Sequence, residues 1–373
     1  MIFFSFAKKA LFRLLKLFGA NRVAYKLSKS TVISFDSQKV NEARAFLENY
    51  SPNPQTSCVC INKIEPQVDI HIIIPAYNVE AYIKECLDSI VLNPTKKYTY
   101  LVTVINDGSV DNTSKIIKQY EDYSCVEVIN QPNKGFSGAR NTGLAHIRGR
   151  YILFVDSDDM MDWRGVEKMM DAALETGADI VRGAHTVMLD NGGLRRFIAN
   201  STGNIETTKL GGGPCTKLFR SELFNDVCFP EHYWYEDSIF DQIVYPRISI
   251  AWGINENAYY HRNRLSGITN QGIKKAKSID SYWITEQLFH ERAKYGLEIT
   301  NQYYDYVLHM VKLTFSRIRL QSYDVKKNVF ILFCDFIDKN FSNFNSHNAQ
   351  YKEIEKIIKT RDLGKCISYA RWM

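Results

Sequence analysis

Four short apolar runs, each closed by proline or a polar cluster, constrain this chain more than any other feature. Val68-Asp-Ile-His-Ile-Ile-Ile-Pro75, Leu101-Val-Thr-Val-Ile105, Val126-Glu-Val-Ile129 and Tyr151-Ile-Leu-Phe-Val155 are β-branched and almost continuously hydrophobic. That texture belongs to strands buried on both faces, since a strand with one wet face alternates polar and apolar residues. Residues 81–92 and 111–120 have helical spacing, and a glycine-bearing loop followed by a helix near 139–147 separates the last two runs. Strand and helix in alternation predict an α/β domain, a mostly parallel sheet with helices on both faces. In such sheets ligands collect beyond the carboxyl ends of the strands.

The 373 residues exceed one such domain. Residues 1–66 read as a helical N-terminal extension, 67–275 as the α/β domain, and 276–373 as a mainly helical, basic region. A helix over 41–50 ends at Ser51-Pro-Asn-Pro54; after Ile180-Val181 the pattern loosens, with a flexible turn at Gly211-Gly-Gly-Pro214 and a helix expected over 217–224. The net charge of +6 forms no long basic tract, which argues against nucleic acid as a partner. The aromatic share, 13%, suits either stacking on planar and sugar rings or a Tyr- and Phe-rich core. Eight cysteines show no CxxC pairing, so a structural zinc site is not expected, and free thiols in a reducing cytoplasm are.

Residues 1–18 are apolar but interrupted by Lys8, Lys9, Arg13 and Lys16, too short and too charged to span a bilayer. Wound as a helix, they put Lys9, Arg13 and Lys16 on one face and Phe3, Phe4, Ala7, Leu11, Leu14 and Phe18 on the other. That pattern fits a helix in a membrane interface, here the inner face of the cytoplasmic membrane, or equally a terminal helix docked on the protein's own core.

Three strands end in polar clusters: Pro75-Ala-Tyr77-Asn78, Asn106-Asp107-Gly-Ser109-Val-Asp111-Asn-Thr113, and Asp156-Ser-Asp158-Asp159. The second also reads as a turn with a helix cap. The third places three carboxylates in four residues, which repel unless a cation or strong donors offset them. A hard divalent ion does so and keeps positions free for diphosphate oxygens. Between them, Asn133-Lys-Gly135-Phe-Ser137-Gly138-Ala-Arg140-Asn141-Thr-Gly143 combines glycines, which let a ligand approach the backbone, with an arginine suited to an anion at a helix start.

In this order, the PAYN opening, NDGSVDNT, NKGFSGARNTGL and FVDSDD resemble the nucleotide-binding half of a family 2 glycosyltransferase with the GT-A fold. The resemblance covers residues 68–160, weakens after about 180, and does not reach 1–66 or about 275–373. It implies a metal-dependent, inverting transfer of a sugar from a UDP-sugar to an acceptor hydroxyl. Asp107 reads the uracil edge, Tyr77 flanks the ring, and Pro75 and Glu80 shape the pocket. Asp156 holds the ribose or donor sugar, Asp158 the Mn²⁺ or Mg²⁺ on the diphosphate, and Arg140 lies near the diphosphate or sugar. Trp234-Tyr-Glu236-Asp237 is similar to the family's ED motif, whose aspartate is the catalytic base; Lys217-Leu-Phe219 also fits the pattern. Where members often carry Tyr-Arg, this chain has Tyr260-His261-Arg262, so His261 is either a further metal or phosphate ligand or a hydrogen-bonded structural histidine. The acceptor implied is a lipid-linked or growing surface glycan. Two rivals share these features: a sugar-phosphate nucleotidyltransferase, which needs a Lys/Arg-rich triphosphate loop where Pro75-Ala-Tyr-Asn-Val-Glu80 stands, and a non-catalytic binding relative, which would have lost the metal ligands or the base.

Overall fold

The structure, a computed structural model, describes residues 20–62, 64–190, 192–264 and 274–372. They divide into two compact units: 54–264 with 287–297, and 20–53 with 274–286 and 298–372.

The first unit is built on one ten-stranded sheet. Its strands are β1 (Val68–Ala76), β2 (Tyr100–Asn106), β3 (Val126–Asn130), β4 (Gly149–Phe154), β5 (Met160–Met161), β6 (Ile180–Leu189), β7 (Leu194–Ile198), β8 (Gly203–Asn204), β9 (Lys217–Arg220) and β10 (Ala251–Asn263). The order is β3-β2-β1-β4-β9-β6-β10-β5, with β7 beside β6 and β8 beside β10. The four strands read from the sequence are mutually parallel. β6 and β10 are also parallel, whereas β5, β7, β8 and β9 pair antiparallel.

Register places the working edge. Ala76 lies opposite Asn106, and Asn106 opposite Asn130, so β1, β2 and β3 end level. β4 pairs with β1 only as far as Ile73↔Phe154, so Pro75, which has no N–H to give, lies past the end of that ladder.

The sheet is covered on both faces. Ile70, Ile72 and Ile74 of β1 pack with Ile83, Leu87 and Ile90 of helix Ile83–Val91 and with Val166, Met169 and Met170 of helix Trp163–Thr176. On the other face Ile73 meets helix Gly135–Leu144 so closely that a Cβ on Gly143 would stand 2.5 Å from its Cγ2. Beside that helix Phe154, Phe219, Phe224, Phe229 and Phe240 pack mostly edge to face, with centroids 5.6 Å apart for Phe154–Phe229 and 5.7 Å for Phe229–Phe240.

Two expectations need correction. Residues 217–224 are not a helix: Lys217–Arg220 is strand β9, followed by a 3₁₀ turn, Ser221–Phe224. β9 fills the slot between β4 and β6, which buries Leu218 and Phe219 completely, and that burial outweighs any local helical preference. The third helix starts at Gly135 rather than near 139, so the glycine-bearing stretch is the helix itself and Arg140 stands in its middle.

The second unit is helical: Ala20–Lys26, Ser37–Tyr50, Asn301–Arg317, Tyr323–Asn340, Lys352–Lys359 and Leu363–Trp372. Helix Asp280–Arg292 contributes its first half here and its second half to the other unit. Asp36, Thr300 and Ser322 cap three of these helices through their side chains. Among the described residues no helix is long and apolar enough to cross a membrane. The segment 1–18, read above as an interfacial helix, lies outside the described residues.

Candidate active site

The loops after β1 and β2 are stitched together before any ligand is considered. Asn78 N–H donates to Ser109 Oγ (3.1 Å) and Val110 N–H to Asn78 Oδ1 (2.9 Å). Glu80 Oε2 accepts from both the backbone and side-chain nitrogens of Asn112, each at 2.8 Å. Val79 N–H donates to Thr113 Oγ1 (2.8 Å). These bonds fix the two loops to each other at the level edge of β1 and β2. Asp107, 2% exposed, has one carboxylate oxygen held by Gln131 Nε2 (2.6 Å) and Lys134 N–H (2.9 Å); Tyr77, 47% exposed, stands open beside it. Pro75 stands opposite Ile105 near the end of β1, and Glu80 fixes the neighbouring loop.

The acidic cluster after β4 is offset donor by donor. Asp159 Oδ1 accepts from Arg262 N–H (2.7 Å), and its Oδ2 from Tyr259 Oη (2.8 Å), with His261 Nδ1 at 3.2 Å. Tyr259 Oη also accepts from Asp156 N–H (3.0 Å), so β10 holds the whole turn. Asp156 Oδ1 meets Arg140 Nη2 at 2.9 Å, and Asp158 Oδ2 meets Arg264 Nε at 2.5 Å. Burial, with Asp159 and Asp156 adding like charge against the opposing Arg264, still pushes the Asp158 carboxyl up to about 6.

That excess of negative charge fits a cation. Asp159 has both oxygens engaged, whereas Asp156 and Asp158 each give one oxygen to an arginine and keep the other for a ligand. Among the described residues no three His, Cys, Asp or Glu side chains are grouped to hold a metal. A Mg²⁺-type ion commonly takes one or two carboxylates and completes its shell with phosphate and water. His261 turns Nδ1 to Asp159, which leaves Nε2 as the nitrogen able to take a ligand.

Arg140 links this cluster to Glu236. It is buried, with the Phe229 ring 5.5 Å from its guanidinium carbon, and gives Nη1 to Glu236 Oε1 (2.6 Å) and Nη2 to Asp156. Glu236 is buried too; desolvation, opposed by Arg140 and aided by Asp237, pushes its carboxyl up to about 7. The sequence expectation had Arg140 at a helix start facing an anion, whereas it is paired with two carboxylates. Asp237 follows in a short turn, partly exposed; its carbonyl accepts from Phe240 N–H (3.0 Å), and its carboxylate has no hydrogen-bond or ion-pair partner among the described residues.

Three features escaped the sequence reading. Gly211-Gly-Gly-Pro214 is clamped: the buried Lys217 ammonium donates to Gly213 O (2.7 Å) and Gly212 O (3.4 Å), and Tyr245 Oη to Gly211 O (2.9 Å). Asp241 stands one turn beyond Asp237. Strain collects here as well: of six described non-glycine residues with positive φ, His232 and Tyr235 precede Glu236, Thr216 follows the clamped turn, and Asn78 lies in the loop after β1. Each such residue costs about 1–3 kcal/mol and persists where its surroundings over-determine it, often at functional sites. A half-buried Asp four residues after another gave no sequence signal beyond helix spacing.

Residues 71–229 match the family model described as Glycosyl transferase family 2. Glycosyltransferase GlyA of Streptococcus pneumoniae serotype 4 is 30% identical over 225 residues, covering 55% of this chain and 32% of that protein. Glycosyltransferase GlyG of the same organism is 29% identical over 225 residues, covering 53% and 72%. Among solved structures, Staphylococcus aureus TarS 1–349 in complex with UDP-GlcNAc superposes with a TM-score of 0.59 at 21% identity, covering 79% of this chain and 90% of that one. The chain spans about a third of the length of the first curated relatives it matches. The superposition, with helices on both sheet faces, identifies the fold as GT-A. Residues 71–229 are a family 2 glycosyltransferase domain.

Proposed function

We propose that this protein transfers a sugar from a UDP-sugar to a hydroxyl of a glycan or lipid-linked acceptor, with inversion, in the assembly of a surface or capsular polysaccharide. The observation that carries this is the division of labour between adjacent carboxyls: Arg140 ties Glu236 to the donor-side Asp156, while Asp237 beside it keeps an unpartnered carboxylate. The UDP-GlcNAc bound by the structural neighbour and the glycosyltransferase names of the relatives support a nucleotide-sugar donor. A nucleotidyltransferase fits less well, because the loop after β1 is bound to the loop after β2 and presents no Lys/Arg-rich triphosphate cradle.

In this reading Asp107 and Tyr77 take the base, and Asp156 takes the ribose or donor sugar. Asp237 removes the proton from the acceptor hydroxyl as that oxygen attacks the anomeric carbon and the UDP leaves from the opposite side, which inverts the centre. Asp158, with His261 as a second ligand, would hold Mn²⁺ or Mg²⁺. That ion would offset the charge gathering on the departing diphosphate. Arg140 keeps Glu236 and Asp156 fixed relative to each other through the step. Residues 1–18 would rest in the inner membrane interface, where lipid-linked acceptors are found.

Asp237→Asn tests this. It preserves shape and capping ability, so transfer should fall by about 10²–10⁴ while UDP affinity stays near wild type. Transfer at close to the wild-type rate would remove Asp237 as the base.

A further inference from the structure

Asp241 is the carboxyl at this site that the proposed reaction leaves unused. It lies in the π-helical turn Phe240–Val244, and among the described residues its carboxylate, like that of Asp237, has no hydrogen-bond or ion-pair partner. Both carboxylates face one small volume. A Cβ built on Gly212 would lie 3.6 Å from Asp237 Oδ2 and 3.9 Å from Asp241 Oδ2, and would touch nothing else. Two oxygens that close to a common point can be bridged by one small ligand.

Residue 212 itself points to an occupant. Gly211 and Gly213 have φ of +69° and +83°, so their backbone conformation calls for glycine. Gly212 is not in that region, and the missing side chain there has another use: it leaves room beside the two carboxylates. The loop cannot simply fold away, because Lys217 and Tyr245 grip its carbonyls.

The chemistry narrows the occupant. An ionised carboxylate only accepts hydrogen bonds, and one partly withdrawn from water gains from donors. Burial and the negative charge of Asp237, opposed by Lys217, push the Asp241 carboxyl up to about 6, so near neutrality it is still mainly ionised. A divalent ion would want more oxygen ligands than two carboxylates give, and no third acid or histidine completes a group here among the described residues. Two hydroxyls on neighbouring carbons supply one donor to each carboxylate, at about 2.7 Å.

We propose that Asp241 is a second acceptor contact, binding the hydroxyl next to the one that reacts, so that the acceptor presents a pair of hydroxyls on adjacent carbons and enters over Gly212. This rests on Asp237 taking the proton of the reacting hydroxyl.

The test uses the UDP-sugar that the protein hydrolyses fastest, with ethylene glycol or 1-propanol as acceptor at equal concentration. Wild type should favour the diol by about tenfold, the discrimination expected of one hydrogen bond to a charged group. Asp241→Ala should bring the ratio close to one, and Asp241→Asn, which keeps an acceptor oxygen, should fall between. Gly212→Val should raise the KM for ethylene glycol several-fold. UDP affinity and the melting transition of each variant establish that it is folded. A wild-type ratio near one, no transfer to either alcohol, or an undiminished preference in folded Asp241→Ala overturns the proposal. Asp237→Asn separates the two readings. If it transfers at the wild-type rate, the base assignment fails and this one with it; if it is inactive while wild type shows no diol preference, only this one fails.

Discussion

Arg140 carries two negative groups at once, and the consequences can be read from one side chain. Its guanidinium is buried between Glu236 and the phenylalanine cluster, whereas its other partner, Asp156, has 37% of its side chain exposed. Removing the cation therefore strands Glu236 far more than Asp156. Arg140→Met keeps the length and apolar stem, and at pH 8 it should cost about 3 kcal/mol in urea unfolding, the lower end of what breaking a buried pair costs. The loss should depend on pH. Glu236 already titrates at about 7 in the folded protein, above its ordinary value of 4.5, so the native state keeps its proton longer than the unfolded chain. Stability contributed by this group falls as pH rises through that window and is level above it. Without Arg140 the carboxyl should titrate higher still, so the mutant's deficit should be large at pH 8 and mostly gone at pH 5.5, where Glu236 is neutral in both proteins. An equal deficit at both pH values would show that Arg140 contributes packing rather than charge. Little of this was legible in the sequence. An arginine is exposed by default, and only the long-range meeting of helix Gly135–Leu144 with residue 236 buries it. The carboxylates themselves were legible, because three of the four apolar runs ended in polar clusters.

At the scale of elements, close approach of backbones decides where side chains stand. Helix Trp163–Thr176 lies against β10, with Asp162 N–H donating to Ala258 O (3.0 Å) and Asp162 capping the helix through Arg164 N–H. Gly165 allows this: a Cβ there would meet Asn257 O at 2.2 Å and Ala258 Cα at 2.5 Å, and neither backbone atom can give way. Next along β10 are Tyr259, His261 and Arg262, which hold Asp159. In an unconstrained helix Gly→Ala stabilises by about 1 kcal/mol. At Gly165 the sign should reverse, with a loss of about 1–3 kcal/mol from overpacking, seen as a lower urea midpoint at unchanged slope. A stabilised Gly165→Ala would mean that helix and strand are not in this contact. The strands β1 to β4 were readable because each buries both faces and so is apolar throughout. β9 was not, since Lys217-Leu-Phe-Arg220 becomes a strand only through β4 on one side and β6 on the other. The two-residue strands β5 and β8 carry no periodicity to read.

For the whole molecule, the helical unit draws on both ends of the chain, and this bears on what residues 1–18 do. Ser30 Oγ donates to Asp362 Oδ2, and Thr31 N–H to its Oδ1 at 2.8 Å. The Lys365 ammonium donates to the carbonyls of Tyr25, Lys26 and Ser28, and Tyr25 Oη donates to Glu353. Every one of these ties begins after residue 20, so the unit has its own attachments without the preceding segment. A chain lacking residues 1–18 should therefore keep its melting temperature and UDP affinity. If that segment is an interfacial helix, the full chain should sediment with vesicles containing phosphatidylglycerol and the truncated one should stay in the supernatant. Lys9, Arg13 and Lys16 would each add about 1 kcal/mol near an anionic surface, a contribution that fades within about one Debye length. Binding should thus weaken as salt rises and be least on neutral vesicles, where only the apolar face of Phe3, Phe4, Leu11, Leu14 and Phe18 remains to hold it. A truncated chain that precipitates, or melts well below the full one, would place residues 1–18 in the protein's own core. Equal binding of both chains to vesicles would move the membrane contact elsewhere on the molecule.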